Sequence, residues 1–302
     1  MNLPPQQIKA CCADAYSRDI LALLLADSYH PGGATLTRRL ANQLGLRSSG
    51  KPRRVADIAS GVGATARLLA AEYDATVDGV DLSQINVNRA QAAASQARLG
   101  AQVRFHHGDA EELPLPDNAF DALICECALC TFPDKNAAAR EFARILRPGG
   151  LAGITDVTIT EAGLPAELTS LTAWVACIAD ARTVTDYTSI LASAGLQVRH
   201  IESHDESLLE MIDRVDARIT ALGIAVPKLL ADNGVATDAV LAYVRLVTDA
   251  VKAGRIGYTL IIAENHDTQG SISDENQPTG HHHAQCDHLA GHGSPPKVLK
   301  LQ

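Results

Sequence analysis

Apolar and polar positions between residues 54 and 160 follow two alternating patterns. Short apolar runs bounded by turn residues predict buried strands at 54–59, 76–81, 103–107, 121–127 and 151–157. The intervening segments carry apolar residues at helical spacing and predict helices at 64–73, 84–99 and 136–146. Strands that alternate with helices at this spacing predict a parallel sheet covered by helices on both faces.

A helical segment precedes this region, and a further helix and strand follow it. Residues 4–46 carry apolar positions at helical spacing, interrupted by a turn before the second half. A helix is predicted at 185–194, where Gly195 provides a C-terminal stop, and a strand is predicted at 196–201. The turn before the fifth strand, at 147–150, is read from its sequence Arg-Pro-Gly-Gly.

The stretch 205–253 is helical in pattern and lies just before the last apolar run. Gly223, Pro227 and Gly234 are predicted to break it. The run 258–264, YTLIIAE, predicts a strand that returns to the sheet as its edge. The helical stretch is therefore interpreted as a cap inserted between the last two strands.

Together these elements predict an α/β fold with a doubly wound, mostly parallel sheet of seven strands. Residues after 265 are rich in Gly, Ser, Pro, Gln and His, a composition typical of disorder. The predicted organisation is an N-terminal helical segment at 1–50, a core at 51–204, a helical cap at 205–253, the last strand of the core at 254–265 and a disordered tail at 266–302.

Composition and charge exclude several classes of function. The chain of 302 residues is 46% hydrophobic and 20% charged, which favours a globular protein, and its net charge of −9 disfavours a nucleic-acid partner. No apolar run approaches the about 18 residues that a membrane span requires. Seven cysteines and an N-terminus without signal-peptide features predict reduced thiols and a cytoplasmic location. The oligomeric state stays open.

The first strand runs into a glycine turn. Asp57 lies inside the strand, and the turn Ser60-Gly61-Val62-Gly63 leads into a helix. Strand, glycine turn and helix bring backbone N–H groups and a helix N-terminus against a nucleotide-like ligand. The spacing lacks the third glycine of the dinucleotide fingerprint, so an ordinary turn with two glycines is the alternative interpretation.

Acidic residues follow the next strands at the same edge of the sheet. Asp81 lies 24 positions after Asp57, about where an acid pairs with two ribose hydroxyls, although it could instead cap the helix ahead of Ser83. Asp109 could accept an adenine amino group or be an exposed loop acid. Leu82 and Glu126 complete the predicted contacts. This set of acids favours an adenosine ligand with a positive centre and no phosphate.

The segment 54–157 resembles the class I S-adenosylmethionine-dependent methyltransferases. The resemblance rests on four motifs in order: DIASGVG from residue 57, VDGVDLS from 77, GDAEELPLPDNAFD from 108 and LRPGG from 146. It implies S-adenosylmethionine as methyl donor. It further implies that Asp57, Ser60, Gly61 and Gly63 surround its methionine part, that Asp81 binds the ribose, and that Asp109 with Ala110 contacts the adenine.

Cysteines lie at the end of the fourth predicted strand and just after it, next to the implied donor. Cys125, Cys127 and Cys130 lie there, and Cys177 lies farther along the chain. Soft thiolates select thiophilic ions, so a trivalent metalloid is a candidate acceptor. The alternative is that these cysteines are small buried apolar residues.

The stretch 125–135, CECALCTFPDK, resembles the arsenite methyltransferases in particular. Cys127 falls on a cysteine of that family, and Cys177 falls on its second acceptor cysteine. The resemblance implies that Cys127 and Cys177 hold As(III) and that a thiol reductant, glutathione or thioredoxin, takes part. The family's N-terminal cysteine has no counterpart in the turn 28–33. Other candidate ligands are Cys11, Cys12, Cys125 and Cys130, with glutathione as an alternative third thiol.

Three hypotheses about function follow. The first is methyl transfer to a thiol-bound arsenical, arsenite or methylarsenite, with detoxification as its purpose. The second is C- or O-methylation of a small organic acceptor such as a quinone or sterol, because LPLPDNAFD is shared with those enzymes. The third is a metalloid-binding protein without turnover. Tyr29 or His30 could close over the donor, although an ordinary turn is the preferred interpretation. The His-rich stretch 281–292 is interpreted as disordered tail, with weak metal scavenging as the alternative.

Overall fold

A computed structural model describes most of the chain. The described residues are 4–25, 29–47, 53–164, 166–168, 178 and 180–266. The chain divides into two units, 1–267 and 268–302, and the second unit lies wholly outside the described residues. The predicted disordered tail and its His-rich stretch therefore fall outside them, apart from His266.

The described residues form one seven-stranded sheet. Its strands are β1 (Arg54–Ile58), β2 (Thr76–Asp81), β3 (Val103–His107), β4 (Phe120–Glu126), β5 (Leu146–Ile159), β6 (Leu196–Ser203) and β7 (Ile256–Asn265). The spatial order is β3-β2-β1-β4-β5-β7-β6, with β1 to β5 parallel and β7 antiparallel to both its neighbours. The predicted doubly wound, mostly parallel sheet is confirmed, and the strand order reverses between β1 and β4.

Helices cover both faces of this sheet. They are α1 (Pro5–Tyr16), α2 (Asp19–Leu25), α3 (Gly33–Gln43), α4 (Ala64–Tyr73), α5 (Gln84–Gln96), α6 (Lys135–Ile145), α7 (Val184–Ser193), α8 (Asp205–Ala225), α9 (Pro227–Asp232) and α10 (Thr237–Lys252). The buried apolar residues of α3, α4 and α10 form one cluster. Those of α6 and α7 form a second. In the described part of the chain, no helix is long and apolar enough to cross a membrane.

The last strand is not at the edge of the sheet, so that prediction was wrong. β7 lies between β5 and β6 and pairs with both. Nearly all of its residues are buried, whereas buried and exposed positions alternate along β6. A strand with apolar side chains on both faces is favoured in the interior of a sheet, and a strand with one solvated face is tolerated at its edge.

Two predicted breaks are also absent. The turn at 147–150 lies within β5, where the pairing with β4 shifts register and Gly149 has a φ of +74°. Gly223 lies inside α8, and a Cβ there would come within 3.1 Å of Thr237 on α10. The small residue at 223 therefore lets two cap helices approach one another instead of ending one of them.

Helix α3 packs directly on the centre of the sheet. Leu36, Leu40 and Leu44 are almost fully buried. A Cβ added at Gly153 on β5 would lie 2.8 Å from Leu40 and 3.0 Å from Leu44, so the missing side chain there allows the helix to sit close to the strand. This contact fixes the position of α3 over the carboxyl half of β5.

Replacing Leu40 with Ala should destabilise the protein by about 2–5 kcal/mol, because it leaves a cavity in a fully buried contact. Urea unfolding followed by circular dichroism would measure the change. Ile224→Ala is the matched control, because Ile224 is 81% exposed and should change stability by less than about 0.5 kcal/mol. Equal effects of the two substitutions would contradict the packing described.

Candidate active site

The glycine turn after β1 has the backbone that the sequence requires. Gly61 and Gly63 both have positive φ values, +52° and +75°. A Cβ at Gly63 would lie 2.3 Å from the ring of Phe105, whereas a Cβ at Gly61 would meet no protein atom within 4 Å. Gly61 lines a cavity at the carboxyl ends of the strands, which we name the glycine-turn cavity. A ligand can approach the backbone closely there.

Asp57 lies beside the turn but is not among the residues that line this cavity. Its carboxylate accepts a hydrogen bond of 3.1 Å from the backbone N–H of Ala66, in the first turn of α4. Burial, and then the charges of Glu126 and Asp81, raise the pKa of Asp57 well above its usual value. Asp57 therefore holds the start of α4 against the turn.

Asp81 lines the glycine-turn cavity at the end of β2. One carboxylate oxygen accepts from Gly61 N–H at 2.8 Å. The other accepts from Ser83 N–H at 2.8 Å and from the Asn86 side chain at 3.4 Å. Burial raises the pKa of Asp81. Both interpretations of this residue therefore have structural support, because it supports the start of α5 and also reaches the cavity. Leu82 lines the same cavity.

Two buried polar atoms near this cavity have no hydrogen-bond partner among the described residues. They are Ser60 Oγ, in the glycine turn, and Asn86 Oδ1, whose residue lines the cavity. Buried polar atoms are rarely left unsatisfied, so the Asn86 carbonyl favours a polar ligand in the cavity, whereas Ser60 is not among the residues that line it. Together with the open position at Gly61, this carbonyl fits an adenosine ligand such as the one the sequence resemblance implies.

Asp109 and Ala110 line the opposite side of the cavity, and α1 closes over them. Lys9 donates to the carboxylates of Asp109 at 2.6 Å and Glu111 at 2.5 Å. Burial lowers the pKa of Lys9, but the two acids outweigh it and raise the value overall. Sequence patterns carry no signal for Lys9, because its contact with Asp109 spans a hundred positions.

Glu126 places a nearly buried carboxylate at the cavity, with its side chain 5% exposed. It accepts from the hydroxyl of Thr65 at 2.6 Å and of Thr37 at 3.0 Å. His30 Nε2 lies 3.5 Å from the same group. Thr37 and His30 come from the N-terminal segment, so that segment completes the wall of the site. A carboxylate held in this way can face a cationic ligand.

A second cavity, of about 510 Å³, adjoins the first, and we name it the apolar cavity. Tyr16, Tyr29 and Cys127 line both cavities and so mark their junction. The two tyrosine rings lie 6.5 Å apart. The remaining wall comes chiefly from α2, α8 and α10, and none of the described residues that line it is charged. Tyr29 is therefore part of the site, and its interpretation as an ordinary turn residue was incomplete.

The cysteines separate into buried and cavity-lining residues. Cys127 has a φ of +54° directly after β4 and lines both cavities, and Cys12 lines the glycine-turn cavity. Cys125 and Cys130 are fully buried in the apolar core, and burial raises the pKa of the Cys125 thiol well above its usual value. Cys125 and Cys130, the candidate ligands at the end of β4, therefore line neither cavity.

The remaining two cysteine candidates, Cys11 and Cys177, are not placed at either cavity by the described residues. Cys11 is half-buried and does not line either cavity, and Cys177 lies outside the described residues. Among the described residues, no group of three or more His, Cys, Asp or Glu side chains is arranged to hold a metal ion. The pair Cys127 and Cys177 stays a prediction from the sequence.

Replacing Asp57 with Asn should stabilise the ligand-free protein more at pH 8 than at pH 4. The pKa of Asp57 is raised in the folded state, so the protein loses stability as the pH increases above the pKa that this acid has in the unfolded chain. Asn does not ionise and therefore removes that loss. The Asn carbonyl can still accept from Ala66 N–H. Thermal unfolding at the two pH values measures the difference. Asp232→Asn, at an exposed position on α9, is the control, and an equal shift at both pH values would contradict the prediction.

Comparison with known proteins identifies the family. A model of the methyltransferase domain matches residues 56–154. A 27-O-demethylrifamycin SV methyltransferase from Amycolatopsis mediterranei is 32% identical over 203 residues, which are 63% of this chain and 73% of that protein. An arsenite methyltransferase from Halobacterium salinarum is 31% identical over 191 residues, which are 61% of this chain and 47% of that protein.

Solved structures share the fold. A phosphoethanolamine N-methyltransferase 2 from Haemonchus contortus, in complex with S-adenosyl-L-methionine, superposes with a TM-score of 0.73 at 18% identity and covers 86% of this chain and 60% of that chain. The matching domain, the similarity along most of the Amycolatopsis protein and the shared sheet agree with one another. The chain therefore belongs to the class I S-adenosylmethionine-dependent methyltransferases.

Proposed function

We propose that the protein transfers the methyl group of S-adenosylmethionine to a lipophilic organic acceptor. The observation that carries this proposal is the apolar cavity, which meets the glycine-turn cavity at Tyr16, Tyr29 and Cys127. This is the second of the three hypotheses from the sequence, and the shape and polarity of the site favour it over the first.

The size and lining of the apolar cavity support an organic acceptor. Its volume of about 510 Å³ lies in the range of small-molecule sites, which are typically apolar with a few polar groups. The polar groups on its described wall are the hydroxyls of Tyr16, Tyr29 and Tyr243 and the thiol of Cys127. Arsenite is far smaller and polar, so it would leave most of this wall without a partner. An apolar acceptor would gain about 25 cal/mol for each Å² it buries.

The glycine-turn cavity supplies the donor half of the proposed site. When bound, S-adenosylmethionine supplies an electrophilic methyl group on a sulfonium centre. In our proposal Asp81 accepts from the ribose hydroxyls, Asp109 with Ala110 contacts the adenine, and Glu126 faces the cationic part of the donor. Gly61 lets the backbone approach closely, and Asp57 acts through α4. The position of each residue supports its role.

In our proposal the junction residues orient the acceptor relative to the methyl donor. Tyr16 and Tyr29 line both cavities, so in our proposal an acceptor in the apolar cavity presents one end towards the glycine-turn cavity. Holding both reactants in line lowers the entropic cost of methyl transfer, and the apolar wall excludes water from the reacting centre. The Amycolatopsis relative, named for methylation of 27-O-demethylrifamycin SV, supports an organic acceptor.

Methylation of an arsenical is the second candidate function. Cys127 lies at the junction, and Cys12 lines the same glycine-turn cavity, so two thiols face the space in which a metalloid would meet the donor. The similarity to the Halobacterium arsenite methyltransferase also favours it. In this proposal Cys127 and Cys12 bind As(III), with Cys177 as the predicted partner and a thiol such as glutathione or thioredoxin as reductant.

Val240→Asp should lower kcat/KM for a lipophilic acceptor by roughly tenfold or more, because it buries a charge in the apolar cavity. Affinity for S-adenosylmethionine, measured by calorimetry, should stay unchanged. Ala239→Asp is the matched control, because the neighbouring residue is exposed on the same helix. An equal loss in both variants, or none in either, would contradict the proposed acceptor site.

Cys127→Ser separates the two candidate functions. A panel of arsenite, methylarsenite, a quinol and a sterol, assayed for S-adenosylhomocysteine and methylated product, should show turnover of an organic acceptor that the substitution changes less than about threefold. Cys11→Ser, outside both cavities, is the control. Turnover of arsenicals alone, abolished by Cys127→Ser, would replace the proposal with the second candidate. Metalloid binding without product would favour a non-catalytic protein.

A further inference from the structure

A third cavity, of about 550 Å³, adjoins the apolar cavity, and none of the junction residues Tyr16, Tyr29 and Cys127 lines it. The two cavities share four lining residues, Leu24, Leu25, Met211 and Val215. Its remaining wall carries three arginines, Arg39, Arg214 and Arg218, together with His204 and one acid, Glu210, and we name this cavity the arginine groove. The space available to an acceptor therefore has an apolar part and a part in which cationic side chains outnumber acidic ones.

The two parts are built on one helix. Met211 and Val215 lie four positions apart on α8, as do Arg214 and Arg218, and 211, 214, 215 and 218 share one helical face. The apolar pair belongs to both cavities, whereas the arginine pair belongs only to the groove. This helical face therefore contributes apolar side chains to both cavities and cationic side chains to the arginine groove alone.

The positive charge of the groove exceeds what its neighbouring acids neutralise. Arg39 forms a bidentate pair with Glu202 at 2.6 Å, and this pair lowers the pKa of Glu202 to about 2. Arg214 lies 4.0 Å from Glu210, at the limit of an ion pair. Arg218 donates to the backbone carbonyl of Leu24 at 3.0 Å, and no carboxylate of the described residues forms an ion pair with it. Three guanidinium groups thus face two carboxylates.

Hydroxyl groups complete this wall. Thr35 and Ser207 also line the groove, so neutral donors accompany the guanidinium groups. Guanidinium groups bind carboxylates and phosphates through paired hydrogen bonds, which are stronger than neutral ones. The cluster is also unusual for this chain, because the net charge of the whole sequence is −9. The excess of cations in the arginine groove therefore favours binding of an anion there, although the chain as a whole is negatively charged.

We propose that the acceptor is amphipathic, with an apolar body in the apolar cavity and an anionic group, carboxylate or phosphate, bound by Arg214 and Arg218 in the arginine groove. This inference rests on the proposed lipophilic acceptor and adds the chemistry of its far end. The anionic group fixes which end of the acceptor reaches the junction at Cys127, and so which atom faces the donor.

Binding of three ten-carbon probes tests the proposal. Decanoate, decyl phosphate and decanol are titrated into the full-length protein by calorimetry, below their micelle concentrations. At least one anionic probe should bind about tenfold more tightly than decanol, and raising the salt concentration should weaken that binding alone. The carboxylate and phosphate arms distinguish the two sources of charge.

Arg214→Gln should reduce the affinity for the anionic probe by roughly five- to tenfold and leave decanol binding unchanged. Arg218→Lys, which keeps the charge but loses the guanidinium geometry, should give a smaller loss and tests Arg218 without removing its charge. Arg245→Gln, at an exposed position on α10 outside the groove, is the matched control. Thermal unfolding of each variant checks that the fold is retained.

The outcomes distinguish this inference from the proposed function. Equal binding of the anionic probes and decanol, unaffected by Arg214→Gln, would overturn the anionic site and leave a lipophilic acceptor in place. Absence of binding by all three probes, including decanol, would overturn both. If Arg214→Gln weakened the binding of decanol as much as that of the anionic probes, the anionic site would also be overturned, because Arg214 would then only shape the cavity.

Discussion

The glycine-turn site depends on three carboxylates, Asp57, Asp81 and Glu126, that lie close together with little access to water. Backbone N–H groups, hydroxyls and the Asn86 amide supply their hydrogen bonds, and the cationic candidates beside them include His30, at 3.5 Å from Glu126, and His107, near Asp81. Burial and mutual repulsion raise the pKa of Asp57. Such an arrangement costs stability in the absence of a cation. It is consistent with a site for a sulfonium donor, which would supply the missing positive charge.

Carboxylates of the site, Glu126 and Asp109, also connect the sheet to the N-terminal helices. Thr37 on α3 reaches Glu126, and α3 is in turn held by its close contact with Gly153 on β5. Lys9 on α1 reaches Asp109 on the opposite side of the cavity. The N-terminal helices are therefore part of the site. In sequence, the helices α8 to α10 lie between β6 and β7. Because β7 is an interior strand that pairs with β6, both ends of this helical stretch are anchored to the sheet.

The donor half of the site could be predicted because its residues are set by local spacing. Gly61, Gly63 and Asp81 follow their strands at fixed distances, so their positions follow once the strands are known. The position of β7 and the contacts of Lys9, Thr37 and Tyr29 join residues far apart in sequence, and periodicity does not encode them. Cys127 illustrates the limit of predicting side-chain position from strand alternation. Strand alternation would place it on the same face as Cys125, but its φ of +54° ends that alternation and turns it to the cavity junction.

This division between local and distant contacts also bears on the choice of acceptor. The motifs that identify the family build only the glycine-turn cavity, and a fold shared at low identity says nothing about the second substrate. Most of the acceptor side is built by α1, α2, α8 and α10, outside the residues 56–154 that match the domain model, and Cys127 is its contribution from within them. A cysteine next to the donor motifs is therefore weaker evidence for a metalloid than the wall of the adjoining cavity is for an organic molecule. In that setting Cys127 is a small, polarisable part of the wall at the point where the proposed acceptor meets the donor.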